Sequence, residues 1–467
     1  MLHYLLIGVT LSIGQPGTAP AGNLAALEPA PPPVRPVLFQ VVEPVPPEPP
    51  LEEEKPVVEP AEQPPPPPAP PDRWLLMRCL QGTWPGYLLD GHRMQLYGWV
   101  EGSYNASSVA QNNSPVVWTD RANEFLMQQA WVRFERPVVT SGTTLPTWGF
   151  RSDWLYGTDY RFTLPRGLWN SQLANADGAQ NLYGVDPISH YVNVYFPTLF
   201  QGTEFRVGRH YCPFGVESLE AINTPLMTRS YAFNFSPPFT HYGLMLLSNL
   251  TPQWQVNLML VNGNDVMIGD PSEEMRFVGK LTWIAPNKRD TVSFGTSVGR
   301  GKFNAGEPNF YATAGLANEP AGRNNINVFD LVWTHTINPR LSYAFETIYG
   351  YQTNVPANVP GGIIKLDSTE GTAHWWSFVN YLFYTLSPQW TATARAEFFW
   401  DFEGQRTGFE GPYQAVTLGL AYKTRLFTTD RSLWFRPEVR YDHNGYSRPF
   451  EGKHAIFFAG ADCIIRW

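Results

Sequence analysis

The chain is short of charge, of cysteine and of long hydrophobic runs, and each shortage removes a class of protein. Only 16% of its 467 residues are Asp, Glu, Lys or Arg, while 43% are hydrophobic, the reverse of a charge-rich disordered chain. Lys plus Arg number 33 against 41 for Asp plus Glu. With no basic excess to neutralise a phosphate backbone, nucleic acid is not an expected partner. The longest largely apolar stretch, Tyr4 to Ile13, falls short of the roughly 18 to 20 residues that a membrane-crossing helix needs. Cys79, Cys212 and Cys463 lie far apart and form no CxxC, so neither a disulfide framework nor a thiolate metal site is expected. HExxH, GxSxG and phosphate-cradling glycine loops are missing as well, and no cofactor is indicated. Adjacent Glu273 and Glu274 do not make a glycosidase pair, because neighbours on a strand point to opposite faces.

What the chain does have is proline at one end and aromatic residues everywhere else. Residues 1–21 resemble a signal peptide, with an apolar core and Ala19-Pro20-Ala21 as a small-residue cleavage site, although His3 is the sole basic character of the first segment. Residues 22–72 form a Pro/Glu-rich segment, with 19 of the 44 prolines between Pro29 and Pro71. Such a composition packs no core and reads as a disordered spacer, about 130 Å long if extended at 3.1 Å per residue. Residues 73–91 read as a linker. Nine acidic and two basic residues fall in 22–72, leaving 32 acidic against 31 basic beyond it. The net charge of -8 therefore belongs to the spacer and says nothing about the remainder.

From His92 onward, segments of about ten residues alternate in polarity, rich in Tyr, Trp, Phe, Val and Thr and divided by Gly, Pro, Asn and Asp. In Leu433 to Tyr441, Arg436, Glu438 and Arg440 share one face while Leu433, Phe435, Val439 and Tyr441 share the other. Helical patterning is scarce, so the expected class is all-β. A turn motif recurs at Thr251-Pro252-Gln253, Asn338-Pro339-Arg340 and Ser387-Pro388-Gln389, with Pro286 between the first two. Proline presets the turn dihedral, and the preceding small polar residue bonds its own backbone. The motif spacing equals two strands plus one long loop. Extended, it predicts further turns near residues 433, 207 and 162, the last some 20 residues beyond the nearest breaker stretch, Pro137 to Pro146. Long loops are expected near 105–123, 161–187, 214–238, 264–272, 302–323, 352–371, 403–412 and 443–453. Short turns at one end and long loops at the other predict an up-and-down antiparallel transmembrane β-barrel of about 16 strands over residues 92–467. Soluble sandwiches, propellers and β-helices also alternate, but lack that asymmetry.

In the last segment Phe457, Ala459, Ala461, Cys463, Ile465 and Trp467 form one apolar face, and Asp462 and Arg466 lie on the other. The apolar faces are assigned to lipid, and Trp148, Trp254, Trp390 and Trp400 to interfacial girdles. The terminal Ile464-Ile465-Arg466-Trp467 resembles the aromatic-ended last strand of outer-membrane barrels. Gly98-Trp99-Val100-Glu101-Gly102-Ser103-Tyr104, the Gly208 to Glu217 segment, Arg229-Ser230-Tyr231 and Pro237 to Gly243 resemble the β-barrel porins described as OmpL-like. That resemblance covers about residues 92–467 and implies a porin of the outer membrane with no defined cargo. It also implies that the third long loop folds into the lumen.

The expected function is a water-filled channel for passive diffusion of ions and small hydrophilic solutes, since about 16 strands leave an aqueous lumen. The wall candidates are Arg133, Glu135, Arg151, Asp153, Arg206, Arg276, Lys280, Arg395, Glu397, Arg436, Glu438 and Arg440. The constriction-loop candidates are Glu217, Glu220 and Arg229. Arg133, Arg151, Arg436 and Arg440 are expected to face the acidic loop and set a transverse field, although paired charges on a hydrated wall serve as well without selectivity. Expected partners are outer-membrane lipid and small solutes, with a homotrimer and a cell-wall contact through the periplasmic Pro-rich segment. The alternatives are a secreted or surface-exposed β-rich carbohydrate-binding or adhesion protein and an outer-membrane barrel enzyme, for which no catalytic spacing of Ser and His appears.

Overall fold

The computed structural model describes residues 73–173, 181–267, 273–301, 325–356, 370–426 and 429–467. The signal peptide and Pro/Glu-rich segment expected over residues 1–72 lie outside them. Eight strands fill the first half: β1 (Gln95–Ser107), β2 (Phe125–Arg136), β3 (Thr147–Gly157), β4 (Gly184–Phe196), β5 (Thr203–Tyr211), β6 (Thr240–Asn249), β7 (Trp254–Val261) and β8 (Glu273–Ile284). Eight more follow: β9 (Asp290–Gly301), β10 (Ile326–Asn338), β11 (Leu341–Pro356), β12 (Glu370–Thr385), β13 (Trp390–Asp401), β14 (Gly411–Leu426), β15 (Thr429–Asn444) and β16 (Ala455–Arg466). Each pairs antiparallel with its neighbours in sequence, and β1 pairs with β16 to close the barrel.

The turn motif works as its residue types require. Thr251 Oγ1 accepts from the Gln253 and Trp254 amides at 3.2 and 3.0 Å. Asn338 Oδ1 accepts from Arg340 and Leu341 at 2.9 and 3.0 Å, and Ser387 Oγ from Gln389 and Trp390 at 3.3 and 3.2 Å. Proline has no N–H to satisfy, so one short polar side chain binds the next two amides and reverses the chain. The connection between β3 and β4, residues 158–183, is long, and it sets the preceding turn, residues 137–146, some 20 residues before the place that the regular spacing gives it.

Side chains alternate strictly on β14: Val416, Leu418 and Leu420 face out, while Ala415, Thr417 and Ala421 are buried within. Trp390 and Trp400 share the outward face of β13 ten residues apart. At about 3.3 Å per residue and a tilt near 40°, that separation projects to about 25 Å, the height of an outer-membrane apolar band. Trp148, Trp254 and Trp400 are all outward and exposed, as girdle residues should be. Only part of the aromatic excess faces outward, however. Trp99, Trp118, Trp131, Trp375, Tyr231, Phe235, Phe399 and Tyr413 are fully buried inside and belong to one apolar cluster.

Ahead of the barrel, the expected linker carries two short helices, α1 (Leu75–Cys79) and α2 (Trp84–Gly91). Thr83 caps α2 by accepting from the Gly86 amide, with Pro85 in its first turn.

Candidate functional site

The inside of the barrel is organised by the connection between β5 and β6, residues 212–239, which runs inward. It contains a short helix, α3 (Tyr231–Phe235), capped by Ser230, whose Oγ accepts from Phe233 at 3.0 Å. Nearly the whole segment from Phe214 to Phe239 is buried. A loop buried this deeply needs partners for its backbone, and the wall supplies them.

Four wall carboxylates take loop amides. Asp330 accepts from Gly215 and Glu346 from Val216, each at 3.1 Å. Glu397 accepts from Tyr231 at 2.9 Å and Glu438 from Thr228 at 3.2 Å. Four wall cations donate to loop carbonyls. Lys280 reaches Pro213 at 2.8 Å and Arg395 reaches Thr228 at 2.8 Å. Arg436 reaches Ala221 and Thr224 at 3.0 and 2.7 Å, and Arg440 reaches Arg229 at 2.7 Å.

The loop's own charges are met as well. Glu217 pairs with Arg395 at 2.6 Å and accepts from the Ser230 amide at 2.7 Å. Glu220 bonds Arg133 and Arg151 together, the latter at 2.7 Å, and these arginines also hold Asp153. Burial pushes the Glu220 carboxyl up against the pull of Arg133. Arg229 donates to the Ser218 and Leu219 carbonyls at 2.9 Å and lies over the Trp118 ring, 4.4 Å from its centroid.

Apolar fit completes the docking. A methyl placed on Gly295 of β9 would lie 2.5 Å from the Phe214 ring, and one on Gly419 of β14 equally close to Leu226. These glycines leave the hollows that loop side chains fill.

The named wall residues thus separate into groups. Arg133, Arg151, Lys280, Arg395, Glu397, Arg436, Glu438 and Arg440 touch the loop directly, so no gap separates the four field arginines from it. Arg276 instead bonds Asn327 at 3.1 Å, Arg206 pairs with Glu204 at 2.7 Å, and Glu135 accepts from Tyr97 at 2.7 Å. Sequence reasoning missed Asp330, Glu346 and Gln129, whose amide bridges Leu219 and Ala221 at 2.7 and 3.1 Å. Each is a polar residue at an inward position of an otherwise apolar-rich strand, and that parity was the available signal.

Residues 93–466 match the model of a family described as beta-barrel porin-2, OmpL-like. Among solved structures the chain is similar to the outer membrane channel DcaP of Acinetobacter baumannii, at 12% identity and a TM-score of 0.50, covering 80% of this chain and 97% of that one. It is likewise similar to the anion-selective porin from Comamonas acidovorans, at 9% identity and a TM-score of 0.50, covering 80% and 98%. At these identities the likeness is one of fold. No curated protein matches the chain.

Proposed function

The chain belongs to the OmpL-like beta-barrel porin-2 family, porins for passive diffusion, and we propose that what passes through this one is decided by the inward loop rather than by the width of the barrel. The observation that carries the reading is the docking of residues 214–238 on carboxylates and cations from strands all around the wall. A lumen of this strand number would otherwise be wide and unselective.

Within this reading the wall charges divide their work. Lys280, Arg395, Glu397, Arg436, Glu438 and Arg440 hold the loop. Arg151 and Arg206, whose side chains keep some exposure, line the path with Glu135, and Arg133 and Asp153 tie Arg151 to Glu220. The barrel performs no chemistry of its own in this proposal. An even strand number, which brings both ends of the barrel to the short-turn rim, supports a periplasmic position for residues 22–72 and the proposed contact with the cell wall. A homotrimer is part of the proposal, supported by an apolar hollow on the outward face lined by Ala392, Ala394, Leu418, Val439 and Ala459.

Planar-bilayer recording of the purified full chain tests the reading. Discrete conductance steps are expected, and their absence would sink it. Replacing Arg133, Arg151, Arg436 and Arg440 by Gln then separates two roles. A shift in ion preference supports a field across the path, whereas a changed step size with unchanged preference assigns these arginines to holding the loop.

A further inference from the structure

A second set of lumen cations makes no hydrogen bond or ion pair to the loop, although the loop's Glu220 carboxylate lies near enough to attract Arg466. Lys423 of β14 stands opposite Trp434 of β15 in the register, with its Nζ 3.7 Å from the indole centroid. Arg466 of β16 brings its guanidinium carbon to 5.8 Å from the same ring and 4.0 Å from that of Trp74, just ahead of α1. Trp74 in turn stacks on Tyr97 of β1 at 6.2 Å. Strands β14, β15, β16 and β1 are consecutive around the wall. The row therefore reads Lys423, Trp434, Arg466, Trp74, Tyr97, at the end of the barrel that carries the short turns.

Ring faces attract cations through the aromatic quadrupole but leave the hydrogen-bonding edges of those cations unused. A stacked guanidinium keeps its N–H donors in its own plane, and an ammonium keeps three donors. Among the described residues, neither Lys423 Nζ nor the Arg466 guanidinium has a hydrogen-bonded or carboxylate partner, whereas Arg133, Arg151, Arg395, Arg436 and Arg440 each hold a carboxylate. The neighbouring acids are already occupied: Asp462 by Arg436, Glu220 by Arg133 and Arg151, and Glu135 by Tyr97. Both free cations are only partly buried, so their donors are reachable from the lumen.

We infer that this row is an oxyanion site for the carboxylate, sulfate or phosphate group of a small solute, held by the edge of Arg466 and by Lys423 Nζ. The planar fork of Arg466 suits two oxygens of one anion, while a halide gains charge attraction alone. Trp74 makes the site a joint product of the barrel and the segment before it. Residues 22–72 carry nine acidic groups, so the oxyanion has two sources, a free solute or these carboxylates. Its meaning for transport rests on the porin reading, but binding is measured without any conductance.

The test is equilibrium dialysis of the detergent-solubilised full chain against radiolabelled sulfate at fixed ionic strength in chloride. One saturable site per chain is expected. Arg466→Gln and Lys423→Gln should each weaken it about tenfold, Arg466→Lys less, and Arg425→Gln, an exposed cation on the same strand, not at all. Equal binding by the wild type and Arg466→Gln overturns the site. So does displacement of sulfate from the wild type by chloride as readily as by phosphate, a result that needs no variant to fold. A full chain with Glu52, Glu53 and Glu54 changed to Gln identifies the source. Tighter sulfate binding means that the chain's own carboxylates share the site, and unchanged binding reserves it for solutes; the site stands in both cases. A chain that binds sulfate but gives no conductance steps keeps the site and loses the porin reading.

Discussion

Arg395 of β13 and Glu217 of the inward loop form a 2.6 Å ion pair with both side chains fully buried. Arg395 also bonds the Thr228 carbonyl at 2.8 Å and Thr417 of the neighbouring strand at 3.1 Å, so one guanidinium joins two separate stretches of the loop to the wall. Removing one partner of such a pair costs about 3 to 5 kcal/mol, because the other charge is left buried and alone. Arg395→Gln should free the loop rather than unfold the barrel. Single-channel conductance is expected to rise, and the double variant Glu217→Gln with Arg395→Gln to return part of the way toward the wild type. Equal conductance in all three channels would show that this pair does not restrain the path.

Gly295 tests the apolar side of the same docking. Its hollow is filled by the Phe214 ring, a stiff group that cannot bend aside as an aliphatic side chain could. Gly295→Ala should displace the start of the loop at about 1 to 3 kcal/mol, the usual cost of overpacking. Faster proteolytic cleavage after Phe214 in the folded, heat-modifiable barrel is the expected readout.

The outward face makes its own prediction. Leu418 sits near the middle of β14 and faces out. Leu418→Arg should cost about 2 to 4 kcal/mol in reversible folding into vesicles, while Gln414→Arg, nearer the rim of the same face, should cost about 0 to 1 kcal/mol. Equal costs at the two positions would contradict the lipid assignment.

Acid should loosen the long-loop rim. Glu451, between β15 and β16, accepts from the Ala110, Gln111 and Asn112 amides at 2.8 Å each, joining two long loops. Desolvation pushes its carboxyl up, but these amides and nearby Lys453 outweigh that and hold it below the usual carboxylate range. A carboxyl whose folded value lies lower than its unfolded one contributes stability above the unfolded value, near 4.5, and loses it as pH falls through the folded one. The three amide resonances should therefore shift together on acidification below that value, and should stay still in Glu451→Gln.

Much of this architecture was readable in the amino-acid order. The strand count followed from period-two polarity and from turns whose Thr, Asn or Ser binds the two amides beyond a proline, because both are local properties. Among the described residues, the long connections after β1, β5, β13 and β15 fall where Gly, Asn and Pro accumulate, while the loop expected at 302–323 and most of that at 352–371 lie outside those residues. The third connection was marked as inward-folding by resemblance to porins, not by its own residues. What the order could not disclose is which wall group meets which loop atom. Arg133 and Glu220, or Glu438 and Thr228, are brought together only by the curvature of a closed sheet. The same limit hid the inward aromatic cluster. Trp99 and Trp131 look like any strand tryptophan until the parity of β1 and β2 is fixed by their partners.

The pairing of β1 with β16 has a kinetic consequence. Its register joins Trp99 to Arg466, two ends of the barrel sequence, whereas every other strand pairs with the one beside it in the chain. Hairpins can form one after another as the polypeptide emerges, but the seam cannot form until the last strand has arrived, and it carries the greatest loop-closure entropy of any step. Until then both outer strands expose unpaired amides and carbonyls, the condition in which a sheet edge recruits foreign strands. Assembly of this protein is therefore decided at a single late zipper, and a catalyst of folding has most to gain by holding those two strands side by side.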